Sequence, residues 1–261
     1  MEKRKVLITG ASSGIGRELA GCFAAHGDDL ILTARRGERL NELSEQLAGK
    51  YGIVCTPIVC DLSRPDAAQF LFEECRRRNL QVDVLVNNAG FGLNAAFIDS
   101  DLQKLMEMIQ VNVTTLVELT HLFMPDMIER RKGGILNVAS TAAFQPGPFM
   151  AVYYASKAFV LSFTEALAEE LRGTGVQVTC LAPGPVDTEF QQVSGLRSSA
   201  MLRLLGRISA AETAEIAFRG FQRGKLLVIP GMMNKLGVFS VRILPRKWVR
   251  RMIRSINQVF P

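Results

Sequence analysis

Tyr153 and Lys157 stand four residues apart in a helix-like stretch, so their side chains lie on one helical face. A tyrosine hydroxyl titrates near pH 10, so acid–base work near neutrality needs a shift of roughly three units, about 4 kcal/mol. A neighbouring ammonium favours the phenolate and supplies part of that shift. Tyr154 is adjacent in sequence but points about 100° away around a helix, which makes Tyr153 the better partner for Lys157. Ser140 lies thirteen residues before Tyr153, just past an apolar run, where a hydroxyl can orient a carbonyl oxygen. An isolated Tyr-x-x-x-Lys pair also occurs on ordinary amphipathic helices, so its meaning rests on what accompanies it.

A second cluster sits near the amino terminus. Thr9-Gly10-Ala11-Ser12-Ser13-Gly14-Ile15-Gly16 follows one apolar run and opens a helical pattern. Glycines at such a turn permit positive φ and close approach of the backbone to a ligand. The helix start offers free N–H groups and partial positive charge, which suits a pyrophosphate. No Lys-Ser/Thr pair follows, which disfavours a nucleotide-hydrolysing loop. The combination predicts dinucleotide binding through Gly10, Ser12, Ser13, Gly14, Ile15 and Gly16. The end of the next apolar run should choose the cofactor. It reads Leu32-Thr33-Ala34-Arg35-Arg36-Gly37, with no acid before Glu38. Arginine can pair with a 2′-phosphate through charge-assisted hydrogen bonds, so Arg35 and Arg36 predict NADP(H) over NAD(H). Asp61 and Leu62 are expected to border the adenine.

These residues need a scaffold. Strand-like runs, apolar without alternation, occur at Val6–Thr9, Leu30–Thr33, Val54–Cys60, Val84–Asn87, Ile135–Ala139, Val176–Ala182 and Leu226–Ile229. Such runs fit strands buried on both faces. Helix-like segments at 14–26, 37–50, 66–78, 102–130, 152–172 and 211–223 separate them, with Gly27, Gly52 and Gly173 as stops. The alternation predicts an α/β fold, a single-domain Rossmann-type doubly wound parallel sheet of about seven strands with helices on both faces. Gly10, Asp61, Asn88-Ala89-Gly90, Ser140 and Pro183-Gly184 each follow a different strand. All then fall at the carboxyl edge of the sheet, where ligands bind.

Taken together, the glycine turn, Asn87-Asn88-Ala89-Gly90, Asn112, Ser140, Tyr153 with Lys157, and Pro183-Gly184 followed by Thr188 closely resemble the short-chain dehydrogenase/reductase family. The resemblance spans residues 6–190. It implies reversible hydride transfer between a nicotinamide and a carbonyl or alcohol, in a homodimer or homotetramer. It also implies roles. Tyr153 exchanges the proton, Lys157 lowers its pKa and holds the nicotinamide ribose, and Ser140 binds the substrate oxygen. Asn112 bends its helix and supports a relay behind Lys157. Asn88, Ala89 and Gly90 form the floor on the nicotinamide side, Thr188 bonds the carboxamide, and Pro183, Gly184 and Val186 complete the cofactor set. A non-catalytic NADP(H)-binding regulator on the same fold is the alternative, which the intact Ser140, Tyr153 and Lys157 disfavour.

Composition narrows the rest. About 48% of the 261 residues are apolar and 21% charged, which excludes a disordered chain. Five cysteines without a C-x-x-C pair read as buried free thiols in a reducing compartment, and His26 and His121 lack metal-ligand spacing. The first residues carry no signal-peptide pattern, and no run reaches 18 apolar residues. A cytoplasmic protein is expected. Phe91–Phe97, Ala142–Met150 and Phe190–Ile208 are rich in apolar side chains, suggesting an apolar carbonyl or alcohol substrate. All 25 acids and 21 of the bases lie in residues 1–215, whereas residues 216–261 hold ten bases and no acid. The chain is therefore expected to be one domain, 1–261, carrying a basic amphipathic segment, 236–261. In 245–260, Trp248, Val249, Met252, Ile253, Ile256, Val259 and Phe260 recur at helical spacing, with arginines opposite. Such a helix docks on its own domain or a partner subunit, lies peripherally on an anionic membrane, or binds an acidic substrate or carrier. No nucleic-acid motif accompanies it.

Overall fold

The computed structural model describes residues 3–186, 188–194 and 208–258. Its centre is a parallel sheet of seven strands: β1 (Lys5–Thr9), β2 (Asp29–Ala34), β3 (Cys55–Val59), β4 (Val84–Asn87), β5 (Gly133–Val138), β6 (Val176–Leu181) and β7 (Leu227–Val228). The spatial order is β3-β2-β1-β4-β5-β6-β7. Every expected strand is present, with no end moved by more than two residues. Helices α1 (Gly14–Ala25), α2 (Gly37–Tyr51), α3 (Ala67–Arg77), α4 (Leu102–Ile109), α5 (Thr115–Glu129), α6 (Ala151–Glu170), α7 (Glu189–Ser194), α8 (Ala210–Gln222), α9 (Met232–Ile243) and α10 (Arg246–Asn257) surround it.

The non-alternating strands are explained by two cores. Val6, Ile8, Leu30 and Leu32 face Leu19, Phe23, Leu40 and Phe221 on one side of the sheet. Leu7, Ile31 and Leu85 face Leu71, Leu119 and Phe123 on the other. Val6, Leu7 and Ile8 of β1 therefore meet a hydrophobic layer whichever way they point. Phe23 packs edge-on against Phe218 at 5.0 Å and Phe221 at 6.0 Å, clamping α1 to α8. Gly52 ends α2 in the left-handed conformation that glycine adopts without strain.

Two elements depart from the expected pattern. The helix expected over 102–130, with a bend at Asn112, is divided by a π turn at Gln110–Thr114, between α4 and α5. The extra residue per turn rotates Asn112 inward, where it is buried. The basic segment expected over 236–261 is two helices, α9 beginning earlier and α10 starting after Pro245. Val249, Ile253 and Asn257 of α10 are buried against the domain, whereas Trp248 is exposed. The apolar stripe expected across α10 is thus split between an inner and an outer face. Val259 and Phe260 lie outside the described residues.

The chain order reverses between β1 and β4, so their carboxyl ends open a crevice. Thr9 sets its edges. Its buried hydroxyl accepts from Asn88 N at 2.9 Å and Ala89 N at 3.0 Å, and donates to Val86 O at 3.2 Å. One hydroxyl thus uses its donor and both acceptor sites. Thr9→Val should lower stability by about 1–3 kcal/mol by stranding N–H groups, and Thr9→Ser should recover most of it. Urea titration of both variants measures this.

Candidate active site

A cavity of about 620 Å³ runs along the carboxyl edge of the sheet. Of the expected site residues, Gly10, Ser12, Ser13, Gly14, Ile15, Arg35, Arg36, Asp61, Leu62, Asn88, Ala89, Gly90, Ser140, Tyr153, Lys157, Pro183, Gly184, Val186 and Thr188 all line it. Gly16 and Asn112 stand just behind the wall.

At the amino end of α1, the glycines are needed for space. Gly10 has φ +65°, and a Cβ there would fall 2.9 Å from Ala89 Cα. A Cβ on Gly16 would lie 2.4 Å from Asn88 Nδ2 and 2.5 Å from Gly10 O. Asn88 Nδ2 donates to Thr9 O at 2.8 Å, tying the β4 loop across the turn. Ser13 precedes α1 in extended backbone, and its side chain does not cap the helix. Its hydroxyl, like that of Ser12, accepts from Arg36 Nη2, at 2.9 and 3.2 Å. Uncapped N–H groups, two hydroxyls and the exposed Arg35 and Arg36 make one end of the cavity an anion cradle. This donor set fits a dinucleotide pyrophosphate with an additional phosphate beside it.

Glu189, at the start of α7, pairs with Arg36 at 2.8 Å and Arg39 at 2.6 Å. The two guanidinium groups hold its carboxyl below the usual range. Sequence reasoning missed this contact because 150 residues separate Arg39 from Glu189.

The other chemistry gathers around the first turns of α6. Lys157 is buried and donates to Val138 O at 2.8 Å. Burial pushes its ammonium down to about 8. Its Nζ lies 5.9 Å from the centre of the Tyr153 ring. Tyr153 is also buried, which pushes its hydroxyl above the usual range, while a hydrogen bond shared with Ser140 acts in the opposite direction. Ser140 caps the turn after β5 by accepting from Ala142 N at 3.1 Å. Asn112 donates to Phe91 O and Ser156 Oγ, each at 3.0 Å, and accepts from Phe91 N at 3.1 Å. A Cβ on Gly90 would come within 3.0 Å of Asn112 Oδ1 and 3.2 Å of Lys157 Nζ. That glycine keeps a slot open between them.

Beyond Tyr153 the cavity turns apolar, with Phe91, Met150, Phe190, Val238, Met252 and Ile256 in its walls. Of the expected wall segment, residues 195–207, with Leu196, Met201, Leu202, Leu204 and Leu205, lie outside the described residues. The Tyr154 ring lies over Gly147, and its hydroxyl accepts from Asn257 Nδ2 at 3.2 Å. Asn257 Nδ2 also reaches Pro148 O at 3.1 Å, and Asn257 O accepts from Asn94 Nδ2 at 3.1 Å. The end of α10 is therefore pinned beside Tyr153, a role for Tyr154 and Asn257 that no sequence motif signals.

A Rossmann-type sheet, an anion cradle on α1 and an acid–base cluster on α6 define a nicotinamide-dependent oxidoreductase. The family model described as short chain dehydrogenase matches residues 4–197, and the chain belongs to that family. Sulfoacetaldehyde reductase 2 of Chromohalobacter salexigens is 42% identical over 219 residues, covering 82% of this chain and 86% of the relative. A short-chain dehydrogenase from Sphingobium yanoikuyae, solved with NADPH, superposes with a TM-score of 0.82 at 31% identity, covering 92% of this chain and 93% of the other. A Burkholderia phymatum member solved with NAD gives 0.81 at 26% identity, with 92% of each chain covered. The chain is an oxidoreductase, and nothing in these relationships supports the non-catalytic alternative.

The buried Lys157 has a consequence for stability. Its folded pKa lies below its unfolded value near 10.5, so burying the ammonium destabilises the fold fully below pH 8. That penalty is relieved as pH rises from about 8 towards 10.5. Lys157→Met should therefore melt at the same or a higher temperature than the parent at pH 7. The difference should shrink above pH 8, while turnover falls roughly 100-fold or more. Thermal melts across this range, with steady-state assays, check both.

Proposed function

We propose that the protein is an NADP(H)-dependent reductase, reversible in principle, acting on an apolar ketone or aldehyde. The observation that carries this reading is the layout of the cavity along the carboxyl edge of the sheet. An arginine-rich anion cradle lies at one end, an apolar chamber at the other, and Tyr153, Ser140 and Lys157 lie between them.

The bound nicotinamide supplies the hydride. Gly10, Ser12, Ser13, Gly14, Ile15 and Gly16 seat the pyrophosphate, and Asp61 and Leu62 border the adenine. Asn88, Ala89 and Gly90 form the floor on the nicotinamide side. Pro183, Gly184, Val186 and Thr188 close the opposite wall, Thr188 towards the carboxamide. Arg35 and Arg36 hold the 2′-phosphate, and the lack of an acid at the end of β2 favours NADP(H) over NAD(H). A phosphate there competes with Glu189 for Arg36.

Ser140 donates to the substrate carbonyl oxygen and holds it beside the Tyr153 hydroxyl. Tyr153 gives its proton to that oxygen as charge develops, and removes it from an alcohol in reverse. Lys157 stabilises the resulting phenolate and reaches the nicotinamide ribose. Asn112, held by Phe91 and Ser156, stands behind Lys157 in the path by which Tyr153 is reprotonated. The apolar chamber favours a hydrophobic substrate over the small sulfonate named for the Chromohalobacter relative. The family pattern supports a homodimer or homotetramer, and the stacked Phe159 and Phe163 on α6 offer an apolar contact. We further propose that 1–261 acts as one cytoplasmic domain whose segment 236–261 completes the substrate chamber, with no nucleic-acid partner.

Tyr153→Phe should remove turnover by roughly 100-fold or more while NADPH affinity changes little. Tyr154→Phe should remain active. A panel of ketones and aldehydes followed by NADPH consumption, paired with fluorescence titration of NADPH, measures both. Near-normal turnover in Tyr153→Phe would reject the assignment. Arg35→Asp should weaken NADPH by roughly 100-fold, because a charge-assisted contact is lost and a repulsion added. NADH should be nearly unaffected. An unchanged NADPH/NADH ratio would make Arg35 a surface residue and leave Arg36 as the phosphate contact.

A further inference from the structure

Helices α9 and α10 present a face that the redox chemistry does not use. Met232, Leu236, Phe239 and Ile243 fall within roughly 60° of arc on α9. Their side chains are exposed, from 54% for Leu236 to 69% for Met232 and Ile243. Trp248, just beyond Pro245, is 65% exposed. Four large apolar side chains thus form an outward stripe along α9, with exposed Trp248 on the next helix, more apolar surface than a folded domain ordinarily leaves to water. The opposite sides of the same helices are used, since Val238, Val249 and Ile253 are buried in the domain. The outward stripe is therefore not a helix awaiting its own core.

Charge selects what covers the patch. Residues 216–261 contain ten lysines and arginines and no acid. Lys235, Arg242, Arg246, Lys247, Arg250 and Arg251 lie in or beside the two helices that carry the stripe. A second copy meeting this face across a twofold axis would bring two such sets together, and like charges at close range oppose association. A nucleic acid matches the charge but not a row of methionine, leucine, phenylalanine and isoleucine. Apolar side chains set among bases, with a tryptophan between them, match the boundary of an anionic bilayer. There acyl chains take the apolar groups, headgroups attract the cations, and tryptophan favours the interface.

We propose that α9 and α10 form a docking surface for an anionic lipid bilayer. No described helix is long and apolar enough to cross a membrane, so the contact is peripheral. The face continues into the mouth of the cavity, which Met233, Val241, Met252 and Ile256 of the same two helices help to line. A bound chain therefore opens its apolar chamber beside the lipid. The docking itself is independent of the substrate reading.

The protein contains one tryptophan, Trp248, which reports directly on the face. Full-length protein is mixed with vesicles of phosphatidylcholine alone or with phosphatidylglycerol. Sedimentation and tryptophan emission are then read at low and high salt. Docking predicts co-sedimentation and a blue shift with the anionic vesicles only, both weakened by salt. The double variant Leu236→Glu with Phe239→Glu should lose binding almost completely. Arg250→Glu with Arg251→Glu should weaken it by roughly tenfold or more. All four positions are exposed, so both variants should keep the parent melting temperature. Absence of binding and of any blue shift in the folded parent would overturn the proposal. So would vesicle binding that the two double variants leave unchanged. If the parent ignores vesicles and Leu236→Glu with Phe239→Glu breaks an oligomer in light scattering, the face is a subunit contact and the proposal is wrong.

Discussion

A charged ammonium group held inside the domain constrains the rest of this site. Lys157 reaches past Tyr153 to the carbonyl of Val138, the last residue of β5. Burying that charge is tolerable only with close polar partners and a narrow channel. Several otherwise unrelated features serve it. Position 90 is glycine because a side chain would press on the Lys157 amine and the Asn112 amide. The π turn in the middle of the long helix delivers Asn112 to that position. Asn112 in turn fixes Phe91 O and the Ser156 hydroxyl. A cation with a lowered pKa beside a buried tyrosine is an arrangement suited to moving a proton.

The same cavity is graded along its length. At the β1–β2 end, helix N–H groups, serine hydroxyls and two arginines favour anionic charge. Around Tyr153 the groups are neutral hydrogen-bonding hydroxyls and one ammonium. Towards α9 and α10 the walls become aliphatic and aromatic. Glu189 ties the cradle to α7, because it opens the helix that follows Thr188 while pairing with Arg36 and Arg39. At the far end Asn257 ties α10 to Pro148 and Tyr154. The tail is thus a wall of the chamber on one side and an exposed apolar and basic surface on the other.

Much of this was legible in residue order. Unbroken Val, Ile and Leu runs announce strands covered on both faces, and all seven occur where those runs lie. The glycine turn, the Tyr-x-x-x-Lys spacing and Ser140 after β5 are local patterns, so the geometry they need is encoded within a few residues. What was not legible depends on distant partners or on small energetic differences. A bend at Asn112 follows from the family resemblance, but its form does not, because a π turn differs from an α turn by one residue and nothing local to Gln110–Thr114 requires it. The Glu189–Arg39 and Tyr154–Asn257 contacts join residues 150 and 103 positions apart. Helix α9 begins at Met232, ahead of the basic run that marks the tail, and its apolar stripe faces outward where periodicity alone would assign it to a core. The position of Arg36 against Ser12 and Ser13 likewise emerges only when α2 is placed beside the glycine turn.

Lys157 lies buried as a low-pKa cation beside Tyr153. Titrating the lysine side chains of the intact protein by NMR, with carbon-13 at the ε position, reads that state. One resonance should have a midpoint of about 8, well separated from the others and absent from Lys157→Met. If the Lys157 resonance instead titrates with the surface lysines near their ordinary value of about 10.4, the amine is solvated and the account of the site is wrong.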